Sequence, residues 1–282
     1  MKGRRNTLTR FILTCCLLSI AGCATLPKSV PIQEAEADHA RQEFKTLLHE
    51  QQKCPAAVDA DVSVTVDNAL WSGTLSGYLR AMAPAYLRFE GVNPLGLTEA
   101  LFAVDGEDFT YISVRNQVAY LGPLKAEKIA RFAPQGLATS MNYYWLLGRI
   151  PTGSLGIGEV GLDPNGQGYW LDLHYAATGE RAMILFDASQ HLVKRHLMLS
   201  DSEAIAADFS YEYPGPTPAG TEQSQSAVSP PDSCQLPAKI TIKKKGNGLI
   251  TLSFTKRYPT PTLDTAPFRI TPPDEYKRIV VQ

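Results

Sequence analysis

Between Tyr86 and Tyr120 the chain alternates polar and apolar residues in short runs, and no other stretch limits the fold as strongly. Leu87 and Phe89 alternate with Arg88 and Glu90; Ala100, Phe102 and Val104 follow Glu99 and lead to Asp105. A period of two in β-forming residues means strands with one dry face and one wet face. Asn93-Pro94-Leu95-Gly96 separates the first two runs. Proline fixes φ and glycine permits a positive φ, so this is a tight turn. Leu95 at its tip has nothing to pack on within its own hairpin. It is therefore either exposed or covered by a neighbouring loop.

The same pattern extends along the chain. Val58–Leu79 reads as one or two strands. Leu155–Leu162, Gln167–Tyr175, Arg181–Phe186, His191–Leu199 and Ile205–Tyr213 read as five more, joined by Gly- and Asn-rich turns that suit antiparallel hairpins. Ile240–Lys244 and Leu249–Thr255 form a hairpin around Gly246-Asn247-Gly248, and Phe268–Ile270 is a candidate last edge strand. Ile32–Lys53 carries Ala40, Phe44, Leu47 and Leu48 at helical spacing, with charges opposite, and Pro55 ends it. Leu124–Phe132 and Thr139–Leu147 have helical spacing around Ala133-Pro134-Gln135-Gly136, which predicts a helical pair inserted between strands and closed by Gly148. The sum is a mainly β (α+β) chain of about ten to twelve antiparallel strands, and a sheet of that size must curl. With helices on one side it becomes an open half-barrel around an apolar hollow.

The ends set the context. Lys2, Arg4, Arg5 and Arg10 precede an apolar run, Phe11–Ile20, too short to cross a bilayer. It leads into Leu18-Ser19-Ile20-Ala21-Gly22-Cys23, the pattern of a bacterial lipoprotein leader whose cysteine is acylated. Residues 1–22 are thus read as a signal peptide and 23–31 as a lipidated tether. Each buried CH₂ adds about 0.8 kcal/mol, so several chains on Cys23 anchor the protein without a transmembrane helix. Ala24, rather than Asp, follows the cysteine and points to the outer membrane, facing the periplasm. Residues 32–213 form the main domain, 214–236 a Pro/Ser-rich excursion, and 237–282 a hairpin and tail that complete the sheet.

Four of the 27 basic residues leave with the leader, so 23 remain against 28 acidic ones. That balance argues against nucleic acid as a partner. Cys15 and Cys16 also leave with the leader, and Cys23 is acylated. Cys54 and Cys234 remain, an even pair in an oxidising compartment, which predicts a disulfide. Its loop of about 180 residues is worth roughly 4–5 kcal/mol in the chain-entropy model. The alternative is two separate buried thiols.

No catalytic constellation emerges, and no enzyme activity, cofactor or metal is expected. Gly156-Ile157-Gly158-Glu159-Val160-Gly161 matches a dinucleotide fingerprint, but Asp163-Pro164-Asn165-Gly166 and another strand follow where a helix is needed. Glycines within a strand mark curvature instead. His39 and His49 stand too far apart to share a metal, and His174, His191 and His196 have no ligand spacing. Solvated strand faces or turns account for His191 and His196, and a turn accounts for Asp105, Glu107 and Asp108.

Leu87-Arg88-Phe89 leading to Asn93-Pro94-Leu95-Gly96, then Trp145-Leu146-Leu147-Gly148-Arg149-Ile150-Pro151 about 50 residues later, resembles the LolA/LolB-like lipoprotein-localisation superfamily over Ala69–Tyr213. The resemblance implies a half-open barrel with a helical lid that includes Trp145 and Leu146. It also implies a hollow for the acyl chains of lipoproteins delivered by a soluble periplasmic carrier. Leu95 maps onto a leucine that enters the membrane during delivery. Independently, acyl chains need only a field of apolar side chains. Leu87, Phe89, Phe102, Val104, Tyr169, Leu171, Leu173, Ile184 and Phe186 are the candidates. They line either an acyl-chain cavity or a closed core. The expected partners are outer-membrane lipid and acylated lipoproteins, and the expected state is a monomer. The alternative function is a structural or protein-interaction lipoprotein with a filled barrel and no lipid cargo.

Overall fold

A computed structural model describes residues 26–67, 72–124, 142–151, 153–215, 234–244, 248–259 and 264–281. The leader with Cys23, residues 125–141 of the expected helical pair, and residues 216–233 of the expected excursion lie outside them.

The strands are β1 Val30–Pro31, β2 Ala57–Asp67, β3 Ser72–Met82, β4 Tyr86–Val92, β5 Thr98–Asp105, β6 Asp108–Ser113 and β7 Val118–Pro123. They continue with β8 Leu155–Leu162, β9 Tyr169–Tyr175, β10 Arg181–Asp187, β11 Leu192–Leu199, β12 Ile205–Glu212, β13 Lys239–Lys244, β14 Gly248–Arg257 and β15 Lys277–Val280. All fifteen form one open sheet, in the order β1-β8-β9-β10-β11-β12-β13-β14-β2-β3-β4-β5-β6-β7-β15. Two meanders, β2–β7 and β8–β14, are joined edge to edge where β14 pairs with β2.

One face of the sheet carries the core. Helix α1, Glu34–Gln51, lays Ala37, Ala40, Phe44 and Leu47 on it. Phe44 meets Phe186 edge to face, with ring centroids 5.4 Å apart. Burying Phe44 and Leu47 contributes about 1.5–3 kcal/mol each, which fixes the helix on the β8–β10 side of the sheet. The face that bears α1 is the inner face of the sheet.

The structure departs from the sequence expectations in several places. Among the described residues there are fifteen strands rather than ten to twelve; two of the additional ones, β1 and β15, are too short to show alternation. Pro31 and Val30 pair with Gly161 and Leu162, so the end of the expected lipidated tether is held as an edge strand. The final strand is not Phe268–Ile270. Ala266–Phe268 is a 3-10 turn with Phe268 buried on the outer face, its ring 5.5 Å from Tyr86. The last strand is β15, and it runs parallel to β7. Thr139–Leu147 is not an α-helix in its described part, where Tyr143–Leu147 is a single 3-10 turn. Asn142 caps it and Gly148, at φ 62°, ends it.

The glycine motif of β8 sits in a bulge: Ile157 faces Leu173 and Val160 faces Leu171, so Gly158 and Glu159 together oppose one residue. At Gly161 a Cβ would lie 2.7 Å from Ser29, so the missing side chain makes room for the incoming tether.

Candidate functional site

The inner face has two halves with different surroundings. On β9 and β10, Leu171, Leu173, Ile184 and Phe186 are fully buried beneath α1 and the 3-10 turn. Trp145 stacks on Phe209 at 5.2 Å, and Leu146 is buried beside it. Four of the nine candidate acyl-chain residues are therefore the floor of a packed core. Tyr169 is half-buried, and its hydroxyl donates to Glu36 Oε1 at 3.2 Å. Trp145 and Leu146 belong to that same packed layer in the described structure.

The other half, β3 to β7, is less covered. Leu79, Phe89, Phe102, Tyr111 and Tyr120 stand in register across five strands. Of these Leu79 is buried, while Phe89, Phe102, Tyr111 and Tyr120 keep part of their surface open. Alongside runs the row Leu87, Val104 and Phe109, which is buried. The sequence therefore placed Leu87, Phe89, Phe102 and Val104 together on one face. It missed Tyr111 and Tyr120, which extend the aromatic row; their signal was the period-two phase that Tyr111 shares with Phe109 on β6 and Tyr120 with Val118 on β7. Burial raises the Tyr111 hydroxyl above its usual range, with Tyr120 adding to the effect.

Two glycines help to shape this row. Gly77 on β3 pairs with Gly91 on β4. A Cβ on Gly77 would lie 2.9 Å from the Phe89 ring, and one on Gly91 would lie 2.4 Å from Leu75. The absence of both lets Phe89 and Leu75 lie across the backbone.

Leu95 crowns the β4–β5 turn and is 84% exposed, with Leu97 beside it at 62%. The turn is held from within. The Asn93 side-chain oxygen accepts from the N–H groups of Leu95 and Leu97, at 3.0 Å each. Gly96 N–H donates to the Asn93 carbonyl at 2.8 Å, and Gly96 has φ +78°. Among the described residues no loop covers the leucine.

The histidines need one correction. His196 is not on a solvated strand face. It is buried on the inner face opposite Ile184 and stacks on Phe209, with ring centroids 5.9 Å apart. Burial pushes its imidazole down to about 4. His191, at a positive φ, places Nε2 3.2 Å from Glu43 on α1. Asp105 caps its own turn, accepting from the N–H of Asp108 at 3.0 Å. Among the described residues no group of three or more His, Cys, Asp or Glu is placed to hold a metal. Cys54 and Cys234 are joined by a disulfide with their Cα atoms 5.4 Å apart. No described helix is long and apolar enough to cross a membrane.

No protein-family model and no curated protein matches the chain. Solved structures do match it. A LolA superfamily protein from Nitrosomonas europaea aligns with a TM-score of 0.52 at 10% identity, covering 80% of this chain and 97% of its own. A domain assigned to outer-membrane lipoprotein sorting in Vibrio parahaemolyticus aligns at 0.50 and 11% identity, covering 84% and 97%. A DUF1329 family protein from Desulfovibrio piger aligns at 0.56 and 9% identity, covering 82% and 97%. At such identities the likeness concerns the fold. This chain, with one open sheet and a helix on its inner face, shares the fold of these structures, the LolA superfamily protein among them.

Proposed function

We propose that the protein is an outer-membrane-anchored lipoprotein that binds acyl chains on its inner face and helps receive lipoproteins and insert them in the membrane. The observation that carries the insertion step is Leu95, fully presented on a turn whose own hydrogen bonds keep it there. Burying one leucine contributes roughly 1.5–3 kcal/mol, enough to bias insertion and too little to anchor. Anchoring falls to Cys23, at the end of a lipoprotein leader. The partly open row Phe89, Phe102, Tyr111 and Tyr120 offers a non-directional apolar surface, which is what an acyl chain needs. The sorting role assigned to the Vibrio parahaemolyticus domain is in keeping with this reading.

A second reading is a structural or protein-interaction lipoprotein with a filled barrel. Its support is the tight packing of Leu171, Leu173, Ile184 and Phe186 under Phe44. Transfer of an acylated lipoprotein to liposomes separates the two. Leu95→Glu should leave folding and cargo binding intact and abolish transfer. Unchanged transfer by this variant removes the role given to Leu95.

A further inference from the structure

Arg149 and Arg257 line one hollow of about 270 Å³ at the end of the sheet where β14 finishes and β2 begins. Pro55, Pro214 and Leu236 form apolar walls, and Cys234, bonded to Cys54, closes one side. Arg149 is only 4% exposed. Its Nη1 donates to the Pro55 carbonyl at 2.6 Å, and its buried Nε has no partner. Arg257 stacks on Phe254 at 4.9 Å and gives Nη2 to the Pro237 carbonyl. Its Nε is likewise buried and unpartnered.

Among the described residues neither guanidinium has a carboxylate partner, and desolvation lowers both, Arg149 to about 10. Buried charges are normally paired, because leaving one unpaired costs several kcal/mol. Here two cations share one recess and keep donors unused. Each already spends one nitrogen on a backbone carbonyl, which fixes the plane of the guanidinium and the direction of the remaining donors. Fixed guanidinium edges are the geometry that recognises oxyanions. A carboxylate has two oxygens to share between two guanidinium groups. A phosphate has more, and it also carries the charge that two cations call for.

We propose that this hollow is an oxyanion site that takes a phosphate group, presented by a phospholipid headgroup or as free phosphate. It lies away from the aromatic row of β4–β7, and it does not depend on the acyl-binding reading.

The test uses the mature chain carrying Cys23→Ser, titrated calorimetrically with inorganic phosphate, dihexanoyl phosphatidic acid and dihexanoyl glycerol. At least one phosphate-bearing probe should bind at one per chain. Its affinity should fall at least ten-fold in Arg257→Gln and in Arg149→Lys, which keeps the charge but loses the fork. Equal binding of inorganic phosphate and phosphatidic acid assigns free phosphate; binding of phosphatidic acid alone assigns a headgroup. Because Arg149 variants can fail to fold, the unaltered chain is also melted in phosphate and in chloride of equal ionic strength, and phosphate should raise the midpoint. Absence of binding and of a thermal shift overturns the site, as does unchanged affinity in Arg257→Gln. Binding of dihexanoyl glycerol that neither substitution alters reports the acyl surface alone.

Discussion

Asn93 holds Leu95 outward: its side-chain oxygen lies 3.0 Å from the Leu95 amide nitrogen and equally close to that of Leu97. A short polar side chain thus does the work that a covering loop would otherwise do. It gives the turn a fixed shape while leaving the apolar tip in water.

Asn93→Ala removes both bonds without touching Leu95. Each is worth about 0.5–1.5 kcal/mol, and their exposure places the loss near the lower end. Chemical denaturation should show a stability loss of about 1 kcal/mol. Lipoprotein transfer to liposomes should slow but persist, since the leucine remains. Loss of transfer as complete as in Leu95→Glu would mean that the turn's polar atoms, rather than its leucine, touch the membrane.

His196 makes the fold sensitive to acid. Its folded value of about 4 lies below the usual 6.5. A base with a depressed folded value has no linked cost above 6.5, where it is neutral in both states. Below that, the unfolded chain takes up the proton first, so stability falls until the pH reaches about 4. A gap of this size corresponds to about 3 kcal/mol. Denaturation midpoints at pH 7 and pH 4.5 should therefore diverge in the parent protein more than in His196→Leu. Equal pH dependence in the two would show that the imidazole is not held neutral.

The tether and Leu95 lie at opposite ends of the strands. Val30 pairs with Leu162, on the side of the sheet that holds Arg257 and Ala57. The β4–β5 turn lies past Val92, on the side of Asp67 and Ser72. A chain spans at most about 3.3–3.6 Å per residue, so the seven steps from Cys23 to Val30 reach about 25 Å. The eleven residues of β2 run for about 36 Å. Leu95 therefore meets the anchoring membrane only when the barrel lies along it. Deleting residues 25–28 should lower transfer, and inserting ten Gly/Ser residues after Ala24 should preserve it. Transfer that is indifferent to shortening would place Leu95 against a different surface.

The strand meanders and the 93–97 turn were legible because each rests on local chemistry: alternation for the strands, and Asn, Pro and Gly for the turn. β1 and β15 were not, since two and four residues paired through backbone alone leave no side-chain period. His196 was misplaced for a definite reason. Phe186 pairs with Val193 and Leu185 with Arg195, so Lys194 is an extra residue in β11. Counting by twos from Val193 puts Arg195 inside and His196 outside, and the bulge reverses both. The half-open state of Phe102 and the full burial of Phe186 were equally invisible, because core and lipid surfaces share one composition. Which of the two a residue joins depends on where α1 docks. Arg149 and Arg257, 108 positions apart, meet only through the sheet order that brings β14 beside β2.

The proposed function requires that the inner aromatic row bind acyl chains. Native mass spectrometry of the mature Cys23→Ser chain tests this most directly, with and without Phe102→Glu. The account predicts one co-purified acylated lipid per chain, lost on Phe102→Glu while circular dichroism shows the sheet unchanged. A chain that carries no lipid, or a lipid adduct that Phe102→Glu leaves untouched, contradicts it.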